Sequence, residues 1–146
     1  MALPNCSPEF LPLTVSASGH TAATAEVHRS AVAADATAAD AWVGLLAGCR
    51  APGRRGLPAQ LRALTEATAS YVGTSWWFSD GSAHRNRVTE SQLRIEDAVR
   101  EGDGEEFAES LAAFDQAVAT AVVCAPRAEG TLPLQRHDEV GTNQAR

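Results

Sequence analysis

Lysine is absent from this chain. All 12 basic residues are arginine, and 18 acids leave a formal net charge of −6 over 146 residues. The missing lysine reflects codon usage in a GC-rich genome and carries no functional information. The charge balance is more informative, because a nucleic-acid partner needs a concentrated positive face to neutralise phosphates. Arg50, Arg54 and Arg55, close to Gly53 and Gly56, form one small basic cluster that reads as a solvated loop. Direct nucleic-acid binding is therefore not expected. Cysteine is also scarce: Cys6, Cys49 and Cys124 are odd in number and far apart, which supports neither a disulfide framework nor a zinc motif. A reducing cytoplasm is the expected setting, with Cys49 and Cys124 packed as small buried hydrophobes. No run of residues looks apolar for the ~18 positions that a membrane span needs, so no membrane partner is expected. The prolines at 4 and 8 and the lack of early basic residues do not fit a secretory signal. Glycine-rich phosphate loops and serine-nucleophile motifs are missing as well.

What is present is helical. The chain is 45% hydrophobic, led by alanine, the strongest helix former. Pro4, Pro8 and Pro12 predict an irregular segment over residues 1–15. An alanine-rich stretch predicts a first helix from Ser18 to Ala34. Thr37-Ala38-Ala39-Asp40 then reads as a capping box opening a short helix through Trp42, Val43, Leu45 and Leu46 to Gly48. Residues 51–56 read as a loop. Leu57, Leu61, Leu64 and Tyr71 share one helical face, with Pro58 tolerated in the first turn. Val88, Gln92, Ile95 and Val99 mark the next helix, stopped at Gly102. Asp103 caps a last helix whose stripe is Phe107, Leu111, Phe114, Val118 and Ala121 or Val122. No periodicity follows Pro126, which predicts a disordered tail over 127–146. The expectation is an all-α, antiparallel bundle of five to six helices occupying residues 16–126.

From Asp40 to Val122 this layout resembles the FCD ligand-binding domain of GntR-type bacterial regulators. The run Gln92-Leu93-Arg94-Ile95-Glu96-Asp97-Ala98-Val99-Arg100-Glu101-Gly102-Asp103 carries the resemblance, together with Asp40-Ala41-Trp42-Val43-Gly44 and Leu57-Pro58-Ala59-Gln60-Leu61. Many members of that family hold a metal with an aspartate and three histidines. The matching positions here are Asp40, Gly44, Gln92 and Phe114, so only Asp40 remains a ligand, and the resemblance implies neither a metal nor another cofactor. The 39 residues before Asp40 are too few for that family's winged helix plus its first helices.

These readings converge on a small organic molecule as partner, bound between helices by Asp40, Trp42, Tyr71, Trp76 and Gln92, in a homodimer. A cofactor-independent cyclase or isomerase on the same bundle is the alternative, catalytic residues unknown, and a structural dimer or interaction adaptor is the third reading. Gln92 lies in an apolar stripe, so its amide needs an inside partner. Trp76-Trp77-Phe78 cannot all face one side of a helix, so at least one is expected to be exposed or buried against another chain. His20 and His28 are spaced to share a helix face, and His84 adjoins Arg85, but neither spacing sets a nucleophile or carboxylate beside them.

Overall fold

A computed structural model describes residues 9–48 and 52–126, so the expectations for residues 1–8 and for the tail from 127 lie outside the described residues, as do Cys49 and Arg50. Among the described residues there are six helices and no strand: α1 (Pro12–Ser18), α2 (Ala25–Ala47), α3 (Pro52–Val72), α4 (Thr74–Trp77), α5 (Ser82–Glu101) and α6 (Gly104–Cys124). The all-α bundle is thus the observed fold.

The helix boundaries follow local chemistry, and several differ from expectation. Pro12 does not forbid α1 but opens it, at the position where a missing N–H leaves nothing unsatisfied. The expected break between Ala34 and Thr37 does not occur. Nothing from Ala25 to Val43 is a glycine or proline, and Thr37 turns its hydroxyl back to the Ala33 carbonyl at 2.9 Å, so it does not cap a new start. The α2 helix ends at Gly48, whose φ of 72° is the left-handed conformation that glycine adopts freely; its N–H reaches back to Gly44 and Leu45. Likewise α3 begins at Pro52, not near Leu57, and Pro58 falls inside it. At the other end of the chain the expectation holds: Gly102 (φ 71°) stops α5, and the Asp103 carboxylate accepts from the Glu106 N–H to open α6.

Two antiparallel hairpins, α2/α3 and α5/α6, make the body, joined through α4. Contacts of α3 with α5 and α6 hold the hairpins together. The inward face of α2 is built from small residues, Val27, Ala31, Ala34, Ala38, Ala41 and Gly44, which let neighbouring helices come close. The rest of the core is Leu57, Leu61 and Leu64 of α3, Val88 and Ile95 of α5, and Phe107, Leu111, Phe114 and Val118 of α6, all essentially without solvent contact. The buried hydroxyls of Thr68, Ser91 and Ser110 bond to carbonyls of their own helices, so they add no unsatisfied donor. By length and composition α6 is apolar enough to cross a membrane, which the sequence reading missed. About 56% of its apolar window is buried inside the bundle, as befits a core helix. The α1 helix lies in the groove between α2 and α6 and touches both.

Candidate functional site

The five residues expected to line one pocket are dispersed. Trp42 is half-buried in an aromatic cluster, its ring centroid 6.2 Å from Phe107 and 5.8 Å from Phe10. Trp76 stacks on His84 with centroids 5.7 Å apart. These two tryptophans mark opposite ends of the bundle: His84 is in the first turn of α5, whereas Phe107 follows the end of α5, whose 20 residues span about 30 Å. No drug-sized molecule touches both. Gln92, midway along α5, is half-buried and donates to Glu96 of its own helix at 3.1 Å, so its partner is local. Asp40 is exposed on α2, and its carboxylate bonds no described residue. Tyr71 lines a groove of about 230 Å³ with Ala17, His20 and Val122, and none of the other four residues borders it. Of the positions tied to the family resemblance, Asp40 points to solvent while Phe114 is wholly buried.

The aromatic triplet resolves as its sequence demanded. Trp77 is buried, Trp76 half-buried and Phe78 64% exposed, with the Arg85 guanidinium 4.9 Å from the Phe78 ring centre. Gly81 is set against Trp76 so tightly that a Cβ there would lie 2.6 Å from the indole.

Among the described residues the histidines form no catalytic set. Ser18 Oγ lies 3.4 Å from His28 Nδ1, but Ser18 is fully buried and donates to the Thr14 carbonyl at 2.6 Å. With that proton committed to the backbone, the imidazole can only donate into Ser18, the reverse of what activates a nucleophile. His20 lies outside any helix, in the α1–α2 connection, and shares no face with His28. Among the described residues no three His, Cys, Asp or Glu side chains gather in a metal-sized group. Cys124 is exposed, contrary to expectation, because it falls on the outward side of the last turn of α6, between buried Val122 and buried Ala125.

Two acids that the sequence reading did not single out make the most developed polar site in the molecule. Asp115, on the buried face of α6 and 2% exposed, accepts from the Leu13 N–H at 3.0 Å and the Thr14 N–H at 2.8 Å. Asp35, on α2, accepts from the Phe10 N–H at 2.7 Å and the Leu11 N–H at 2.9 Å. Pro12 has no N–H, so every backbone donor from Phe10 to Thr14 ends on a carboxylate. The α1 helix has no capping side chain of its own; α6 supplies the cap. Burial pushes the Asp115 carboxyl above the usual range, the Thr14 and Leu13 hydrogen bonds pull the other way, and the charge of Asp35 adds to the upward push. Elsewhere, Arg94 grips Glu106 bidentately at 2.8 and 3.1 Å; that bond raises the guanidinium and lowers the carboxylate.

The second developed surface is the outward face of α2. Val32, Ala36, Ala39, Val43 and Leu46 recur at alternating steps of four and three, the spacing of a coiled-coil seam. Val32 is 47% exposed, Val43 60% and Leu46 67%. Ala36 is exposed and Ala39 half-buried. This apolar row is distinct from the inward face of the same helix.

Comparison with protein-family profiles, curated proteins and solved structures found no match in any of the three.

Proposed function

We propose that this chain works as a helical interaction module that pairs with a second copy of itself along the outer face of α2. The carrying observation is the exposed row Val32, Ala36, Ala39, Val43 and Leu46. A helix that already buries one apolar face has no folding reason to present another to water at heptad spacing. By contrast, the five residues expected to form a ligand pocket are spread over both ends of the bundle, and the grooves of about 460 and 480 Å³ on its surface are lined by none of them. That distribution favours an interaction module over a receptor for a small molecule or an enzyme.

The row is its own complement when two copies run antiparallel about Ala39. Val32 then faces Leu46, Val43 comes within one residue of level with Ala36, and the two Ala39 residues meet at the axis, where their small size lets the helices approach closely. The row from Val32 to Leu46 is about 21 Å long, so it buries less than the roughly 800 Å² a side of a stable complex. The pairing belongs to the weak, reversible class. The two Asp40 carboxylates flank the axis and each copy carries a net charge of −6, so added salt strengthens it.

Sedimentation velocity from ~10 μM to ~1 mM tests this reading, since that range brackets a weak complex. The expected result is a dimer fraction that rises with concentration and salt, and is lost in the double variant Val43→Asp, Leu46→Asp without loss of helical circular dichroism. A chain that stays monomeric throughout, or a double variant that dimerises equally well, overturns it.

A further inference from the structure

We propose that α1 is a displaceable strap, seated in cis on a seam that docks a helical segment of the same chemistry from a partner protein. The seam lies between the two hairpins, where α2 and α6 make only sparse contact with each other and α1 fills the space. Seven residues are too few to hold a helix in water, so α1 owes its order to this seat.

The seat reads an incoming helix start mainly through its backbone. Asp35 from one hairpin and Asp115 from the other collect the four N–H groups of Phe10, Leu11, Leu13 and Thr14. Side-chain recognition is sparse by comparison. Leu11 is wholly buried, Phe10 packs on Trp42 and Phe107, and the Thr14 hydroxyl donates to the Asp115 carbonyl at 3.2 Å. Two carboxylates facing a helix N-terminus attract its positive end and repel phosphate, so the occupant is a peptide helix and not an anion. Its pattern follows from α1: an aromatic residue, a buried aliphatic, a proline in the first turn, and a small hydroxyl residue three places after the aliphatic.

Two features let the strap leave. Residues 19–23, which connect α1 to α2, are all exposed, so α1 can swing away about this connection. Neither Asp35 nor Asp115 has a basic partner among the described residues, and both regain water when α1 lifts. Rehydration of the two carboxylates offsets part of the cost of uncovering Leu11 and Phe10.

The test uses the full chain and a synthetic peptide covering Glu9–His20, acetylated at its start and fluorescently labelled at its end. The double variant Phe10→Ala, Leu11→Ala weakens the cis strap but keeps Asp35, Asp115, Trp42 and Phe107. Anisotropy should show it binding the peptide at least about tenfold more tightly than the unsubstituted chain, where α1 competes for the seat. Adding Asp35→Asn should remove most of that gain. A double variant that keeps its helical signal yet binds no more tightly overturns the proposal. Native-state hydrogen exchange on the unsubstituted chain decides the matter if the double variant does not fold. Leu13 and Thr14 amides should exchange at least about a hundredfold faster than those of the α6 core, through local opening. Exchange of both sets at one common rate overturns the strap.

Discussion

α2 and α6 are nearly equal in length, 23 and 21 residues, and both run through the bundle, yet they are built on opposite plans. The buried face of α6 includes Phe107, Leu111, Phe114, Val118 and Val122, and its other large apolar residue, Val123, lies in the last turn. α2 buries alanines, a valine and a glycine, packs Trp42 and Leu45 half-buried against the core, and leaves Val32, Val43 and Leu46 in solvent. In one helix nearly all the large apolar side chains serve the core; in the other, three of them are left facing water. The difference separates a scaffold helix from one with surface to offer, and matched substitutions in the two helices can break or sharpen that contrast.

The largest effect belongs to α6. Leu111→Ala removes a wholly buried side chain from between the hairpins and should destabilise by about 2–5 kcal/mol in urea unfolding. A loss below roughly 1 kcal/mol would mean that the core around α6 relaxes freely and the scaffold role is misplaced. Next comes Asp115→Ala, which strips the Leu13 and Thr14 N–H groups of their acceptor and should destabilise by roughly 2–4 kcal/mol. For α2 the informative change is in the other direction. Ala38 is fully buried on its close-packed face, and Ala38→Leu should destabilise by about 1–3 kcal/mol through overpacking. A neutral result would show slack between α2 and its neighbours that the small residues do not suggest.

A pH titration sharpens the comparison through Asp115, buried on α6. The Asp115 carboxyl is raised in the folded chain, so folded protein holds its proton more tightly than unfolded chain does. Its contribution to stability is therefore full below its ordinary value of 3.8 and is lost as pH rises through the raised folded value. Asp115→Asn cannot titrate. Its deficit relative to the unsubstituted chain should be largest near pH 3 and shrink on moving toward neutrality, as chemical denaturation at a series of pH values would show. A deficit that grows with pH would mean that the hydrogen bonds from Thr14 and Leu13, not burial, govern this carboxyl. Asp103→Ala should follow at about 1 kcal/mol, the worth of one capping bond at the start of α6.

The two plans also explain what could be read from the residues alone. α6 was legible because Phe107, Leu111, Phe114 and Val118 repeat at helical spacing behind an aspartate cap, and α5 because glycine stops it. α2 was not: in a run of alanines the inward and outward faces look alike, and Thr37 to Asp40 resembles a helix start where the helix is in its middle. The seat of α1 was harder still. Asp35 meets Leu11 across 24 residues and Asp115 meets Thr14 across 101, separations that no local pattern encodes. One signal was available: Asp115 falls four residues after Leu111 and three before Val118, an acid set into an otherwise apolar stripe. Such an acid needs an inside partner. Residue type and a family resemblance point to the five pocket residues, and neither fixes which end of a bundle a side chain reaches.

The smallest effect is the sharpest test. Leu46→Ala makes the same chemical change as Leu111→Ala, but on a side chain that is 67% exposed. Little apolar surface returns to water and no cavity forms, so unfolding free energy should stay within about 0.5 kcal/mol of the unsubstituted chain. Alanine's higher helix propensity even favours a slight gain. The measurement belongs at low micromolar concentration, where copies are apart. At higher concentration dimerisation stabilises the unsubstituted chain by mass action, and Leu46→Ala should then fall behind it. A deficit that appears only with concentration assigns Leu46 to pairing; a deficit present at every concentration assigns it to the fold and removes the contrast between the two helices.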